Sequence, residues 1–349
     1  MLSKHPIEDI YAEAKAYALK GTLLDRTFIE SLASARSVKE IAEKLTSTPY
    51  SKVIRRPEEV DSARKLESLL RAALALDYYR LGKWFRHSNM LTAYFRKLLG
   101  WDLKMVLRAV HQGKSFEEIM DLLYLKAEEI LGRRELLVKI LASSTIDEGI
   151  ALLEGDPFYE PLRRALKIYK EKGDPTIFDL YIDKVVYSEI AGSVMKEKKL
   201  RKGISVNRHF WEFVELDLLR YNLTCILRGK ILGLQQSEIN ELLVDFGKME
   251  TLKKVIEARN VEEVWRYVKR LGLKGTLKAN TIESILQKLE EETRSKELSL
   301  ARSSFYRKVM TPSVVLAYLK LKEREIEHIS KVALGVELGL PREEILSSF

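Results

Sequence analysis

Residues 216–239, LDLLRYNLTCILRGKILGLQQSEI, constrain the fold more than any other stretch. Apolar side chains at Leu216, Leu219, Leu223, Ile226 and Leu227 recur at helical spacing. A second stripe runs through Val214, Leu218, Tyr221, Cys225 and Leu232, leaving a narrow polar strip at Asp217, Arg220, Thr224 and Arg228. A helix that is apolar around most of its circumference must be enclosed by other helices. Gly229 and Gly233 predict that this helix ends and turns there, with Gly229 at positive φ, which glycine tolerates.

The stretch has two relatives in the chain, WDLKMVLRAVHQGKSFEEI at residues 101–119 and REIEHISKVALGVELGLPREEI at residues 324–345. Aligning Gly113, Gly229 and Gly335 as turn glycines brings Leu107, Leu223 and Ile329 together, and likewise Val110, Ile226 and Val332. The last two copies also share Gly233 with Gly339, Leu234 with Leu340 and Ile239 with Ile345. In this alignment the first copy is shorter after its glycine, and Asp102 meets Asp217 only with a one-residue slip.

A second repeated signal precedes each glycine segment. RSVKEIAEKL, STIDEGIALL and RNVEEVWRYV each begin with a helix-capping residue, Ser37, Thr145 or Asn260, and carry Glu40, Glu148 or Glu263 three positions later. In that pattern the cap and the glutamate satisfy backbone N–H groups reciprocally. Two signals recurring in the same order predict a threefold-repeated helical protein, with a period longer than the roughly 20–50 residues of solenoid repeats. The expected domains are residues 1–127, 128–242 and 243–349.

The class expected is all-α. Helical periodicity covers residues 10–24, 58–81, 84–99, 161–172, 175–190, 281–296 and 312–334, while strand alternation is nearly absent. Glycine and proline punctuate the chain, as in Gly155-Asp156-Pro157 and Gly173-Asp174-Pro175. No signal-type segment opens the sequence, and no window approaches the roughly 20 apolar residues of a membrane span. The protein is expected to be soluble and intracellular, with Cys225 a buried structural thiol.

The chemistry on offer is sparse. The five histidines are scattered, no HExxH occurs, and no metal site is expected. The chain lacks GxxxxGK[ST], GxGxxG and GxSxG patterns, so neither a cofactor nor a catalytic residue is nominated. Most carboxylates sit as helical partners of Lys and Arg. Arg228-Gly229-Lys230 fits cations complementing a helix C-terminus better than a phosphate site. Sixty Lys and Arg against 51 Asp and Glu leave a net charge of +9. With the run KEKKLRK at residues 196–202, read as a mobile basic loop, this keeps open a helical nucleic-acid-binding protein as the alternative. Trp84, Trp101, Trp211 and Trp265 read as core or interface anchors.

DLLRYNLTCILRGKILGL followed by SEI resembles the hallmark segment of the C subunit of archaeal-type and V-type ATP synthases, known as the d subunit in the eukaryotic vacuolar enzyme. AYLKLKEREIEHISKVALGVELGLPREEI is similar to that family's closing segment, and STPYSKVI at residues 47–54 and DPFYEPLRRAL at residues 156–166 are family-like. The departures are Gln112 where the family has Arg before glycine, and the basic run. The resemblance implies a funnel of three similar helical domains about a pseudo-threefold axis. It implies a non-catalytic, peripheral rotor component on the cytoplasmic face of the membrane, seating shaft subunits of the D/F type on the proteolipid ring. Interface residues expected at the repeated helix termini are His111, Lys114, Arg228 and Lys230.

Overall fold

The computed structural model describes residues 6–84, 88–200, 208–273, 281–307 and 313–347. Its helices are α1 (Pro6–Lys20), α2 (Arg26–Leu32), α3 (Val38–Leu45), α4 (Ala63–Gly82), α5 (Ser88–Gln112), α6 (Phe116–Ile119), α7 (Leu125–Ile130), α8 (Arg134–Leu141) and α9 (Ile146–Ala151). They continue as α10 (Tyr159–Lys172), α11 (Thr176–Leu200), α12 (Arg208–Ile231), α13 (Gln236–Leu242), α14 (Met249–Glu257), α15 (Val261–Arg270), α16 (Ile282–Arg307), α17 (Ser313–Glu337) and α18 (Arg342–Ser347). Short 3₁₀ turns lie at Pro49–Lys52, Pro57–Glu59 and Met120–Leu122. Among the described residues there is no β-strand, and no helix is long and apolar enough to cross a membrane.

The chain forms two compact units, Met1–Leu152 with Phe305–Phe349, and Leu153–Ser304. In the first, α17 is the central element. Its opening turns, Ser313 to Lys320, are buried on every side, and it packs against α1, α2, α3 and α4. In the second, α12 is enclosed as its composition requires. Leu223, Ile226 and Leu227 are fully buried, and α11, α13 and α14 pack around it.

All three capping signals operate. Ser37 Oγ, Thr145 Oγ1 and Asn260 Oδ1 accept the N–H of Glu40, Glu148 and Glu263 at 3.3, 3.3 and 2.9 Å. In return each glutamate accepts the N–H of the residue just before the cap, Arg36, Ser144 or Arg259, at 2.8, 3.0 and 2.9 Å. The return bond thus falls one residue earlier than in the standard box. It starts α3, α9 and α15 in one geometry.

Each capped helix follows a short helix in the chain, giving α2 then α3, α8 then α9, and α14 then α15; the last two pairs pack together directly. The long helix that closes one sequence module packs on the capped pair of the next. α5 packs on α8 and α9, α12 packs on α14, and α17 packs on α2 and α3. Compact units therefore cross the joins expected near residues 127 and 242: α8 and α9 stay with the first unit, and α17 and α18 return to it.

Several helices differ from the boundaries expected from periodicity. α4 starts at Ala63, behind the N-cap Ser62, and not near residue 58, because Pro57 opens a 3₁₀ turn instead. α5 runs to Gln112, joining two stretches into one helix. The basic run is not a loop over its first part: residues 196–200 continue α11, while residues 201–203 lie outside the described residues. Lys, Glu and Leu are good helix formers, and no breaker stands between Gly192 and Leu200.

Candidate interface at the long-helix ends

The C-termini of α5, α12 and α17 are built alike, in a register that differs from an alignment on Gly113, Gly229 and Gly335. Gly113 has φ 65°, but its counterparts are Gly233 at 63° and Gly339 at 68°. Their N–H groups donate to the carbonyls of Val110, Lys230 and Val336 at 3.2, 3.1 and 3.1 Å. The following N–H groups, of Lys114, Leu234 and Leu340, donate to Ala109, Gly229 and Gly335, each at 2.9 Å. This double bond pattern is the Schellman ending, which places the left-handed residue just past the helix.

Gly229 and Gly335 therefore lie inside their helices, one turn before the stop, and the expected positive φ at Gly229 is wrong. Their small size serves a close approach instead. A Cβ on Gly229 would stand 2.8 Å from Ile239 Cγ1, and one on Gly335 would stand 2.6 Å from Ile345 Cγ1. Ile119, Ile239 and Ile345 are buried residues of the short helices α6, α13 and α18, folded back on the long helix. In the first copy the close-approach position is Ala109.

The corrected register exposes fasteners that the sequence alignment missed. Asp102 Oδ1 accepts the N–H of Tyr124 at 2.6 Å, and Asn222 Oδ1 accepts that of Val244 at 2.8 Å. Asn222 also donates to the Val244 carbonyl at 2.8 Å. One residue earlier, Trp101 Nε1 donates to the Leu122 carbonyl at 3.3 Å, and the Tyr221 hydroxyl donates to that of Leu242 at 2.6 Å. The counterpart of Asp102 is thus Asn222 and not Asp217. An aromatic followed by Asp or Asn, eleven residues ahead of Gly113 and Gly233, is the signal that finds it; the third copy has Glu327-His328 there. Burial pushes the Asp102 carboxyl well above the usual range, and the neighbouring Glu128 adds to the effect.

The four nominated interface residues are not equivalents of one another in this register. His111 and Lys114 are exposed at the end of α5, in the first unit. Arg228 is half-buried in the last turns of α12, in the second. Lys230 is engaged within its own unit: Nζ donates to the carbonyls of Ile256 and Ala258 at 2.6 and 2.9 Å, closing the C-terminus of α14. Burial lowers its pKa. Two positions apart on a helix, Arg228 and Lys230 point to different sides. The third copy carries exposed apolar side chains at its end, Leu334, Leu338 and Leu340.

A buried polar cluster joins two of the family-like segments in the first unit. The Tyr50 hydroxyl, from STPYSKVI, donates to Glu325 Oε1 at 2.8 Å, and Lys322 Nζ pairs with the same oxygen at 2.7 Å. Glu325 also accepts the backbone N–H of Leu24, and Lys322 Nζ lies 3.8 Å from the Tyr50 ring centroid. The Tyr318 hydroxyl donates to Asp77 on α4. Burial, with the Glu325 charge second, raises the Tyr50 phenol far above its ordinary range. Among the described residues no group of His, Cys, Asp and Glu is placed to hold a metal ion.

Residues 12–348 match the family model described as ATP synthase (C/AC39) subunit. The C subunit of the A-type ATP synthase of Pyrococcus abyssi is 27% identical over 350 residues, covering 96% of this chain and 88% of the relative. The corresponding A-type protein of Desulfurococcus sp. is 26% identical with the same coverage of both. That of Halorubrum lacusprofundi is 25% identical over 297 residues, covering 81% of this chain and 80% of the relative.

Proposed function

Since the chain belongs to the ATP synthase (C/AC39) subunit family, we propose that it is the non-catalytic rotor component that seats the central shaft on the membrane proteolipid ring. It transmits torque between them in an archaeal-type or V-type ATP synthase. Its three repeats, residues 1–127, 128–242 and 243–349, form a funnel about a pseudo-threefold axis. One side of the funnel receives shaft subunits of the D/F type, and the other rests on the ring at the cytoplasmic face. The carrying observation is the cyclic order of packing. Module one closes on the pair of module two, module two on the pair of module three, and module three on the pair of module one. Modules that interlock in this order support a stiff part, because close-packed interiors resist deformation under load.

The contacts to separate partner chains are polar and salt-sensitive in this reading, drawing on His111, Lys114 and Arg228 at the helix ends. The test is reconstitution of the complex in vesicles with and without this chain, measuring ATP turnover and the ion gradient together. The expected result is that the soluble head hydrolyses ATP either way, while ion transport is coupled only when the chain is added. Full coupling without it, or ATP hydrolysis by the purified chain, would sink the reading.

A further inference from the structure

In the first unit a cavity of about 190 Å³ lies between the end of α1, the turn at Pro49–Lys52, α4 and α17. Leu19, Val53 and Leu76 give it apolar lining. Lys52, Asp77, Arg80 and Lys322 line it as well. The inner charges already have partners, Lys322 in Glu325 and Asp77 in the Tyr318 hydroxyl. The rim differs. Lys52 and Arg80 are exposed, and neither has a carboxylate within ion-pair distance among the described residues. Dry cavities are apolar, whereas one with polar walls holds water or a ligand.

We propose that this cavity binds a small phosphomonoester, its phosphate between Lys52 and Arg80 and its short carbon body against the apolar lining residues. Two rim cations match a dianion, and a guanidinium pairs with phosphate oxygens through parallel N–H donors. A hydroxyl on the ligand would satisfy the remaining acceptor capacity of Asp77. The volume falls below the roughly 300–1,000 Å³ of pockets for drug-sized ligands, so a nucleotide is too large. A lipid headgroup offers the same phosphate, yet its acyl chains need a long apolar exit. The inference is independent of the rotor reading.

Calorimetric titration of the full chain with glycerol 3-phosphate tests it, alongside orthophosphate and vesicles containing phosphatidic acid. Saturable one-to-one binding is expected, tighter than for orthophosphate and at least tenfold weaker in both Lys52→Gln and Arg80→Gln. Both substitutions are at exposed positions, and unchanged melting would confirm that the variants are folded. Three results would overturn the site: no saturable heat with glycerol 3-phosphate, equal binding by the variants, or binding to vesicles alone, which would assign the cations to lipid.

Discussion

Cys225 illustrates how burial alone decides a residue's chemistry. It is fully enclosed on α12, and desolvation pushes its thiol up to about 12. At pH 8 only about one molecule in ten thousand would carry the reactive thiolate. Ellman's reagent should therefore leave the native chain unlabelled and titrate one thiol after unfolding; rapid native labelling would contradict the burial. Because the folded value lies above the ordinary 9.0, the native state keeps a proton that the unfolded chain loses. The stability this residue contributes is complete below about pH 9 and falls as pH rises towards 12.

The glycines separate two kinds of residue-scale constraint. At Gly229 and Gly335 the backbone is helical and the limit is space, so Ala should cost about 1–3 kcal/mol by overpacking. Gly229→Ala combined with Ile239→Ala should cost less than the sum of the two, because one relieves the other. At Gly233 the limit is φ, so Ala there should cost about 1–2 kcal/mol, with no relief from any partner. Urea denaturation of the single and double variants reads both outcomes. Additive costs at Gly229 and Ile239 would show that the contact does not matter.

At the scale of the element, the three capped helices start in one geometry and should respond alike. Ser37→Ala, Thr145→Ala and Asn260→Ala should each lose about 1 kcal/mol, and Asp at the same positions should restore most of it, as measured by denaturant melts. A cost confined to one of the three would argue against a shared structural role. Glu40 adds a pH signature. The Arg36 N–H, and then Lys44, hold its carboxyl below the usual range. Its contribution is present above the ordinary carboxylate pKa and is lost as pH falls through the lowered folded value.

For the whole molecule, the nominated interface residues divide by what else they hold. Lys230→Glu would set a carboxylate against the carbonyls of Ile256 and Ala258, so it should lower the melting temperature as well as impair assembly. Arg228→Glu and Lys114→Glu should leave melting nearly unchanged and weaken capture by the proposed shaft and ring subunits, the deficit relative to the unmodified chain narrowing at higher salt as the charges are screened. Normal capture with both Arg228→Glu and Lys114→Glu would remove these helix ends from the interface. The cyclic packing order makes a further demand at this scale: α17 carries the contacts that return the third module to the first.

Helix content, capped starts and the enclosure of α12 are legible in the amino-acid sequence by itself, because each depends on neighbours within about one turn. A Ser, Thr or Asn cap and its glutamate are three residues apart, and Leu223, Ile226 and Leu227 declare their burial by spacing alone. The register of the repeat is legible only for the second and third copies. Gly229 and Gly335 resemble turn glycines in one dimension, and nothing local separates a glycine needed for φ from one needed for space. That distinction rests on Ile239 and Ile345 folding back from the next helix. The fasteners from Asp102 to Tyr124 and Asn222 to Val244, the Tyr50–Glu325–Lys322 cluster, and the return of α17 to α2 and α3 lie further still from local sequence. They join groups from separate helices, some from opposite ends of the chain, and only complementary packing of whole helix faces selects such partners.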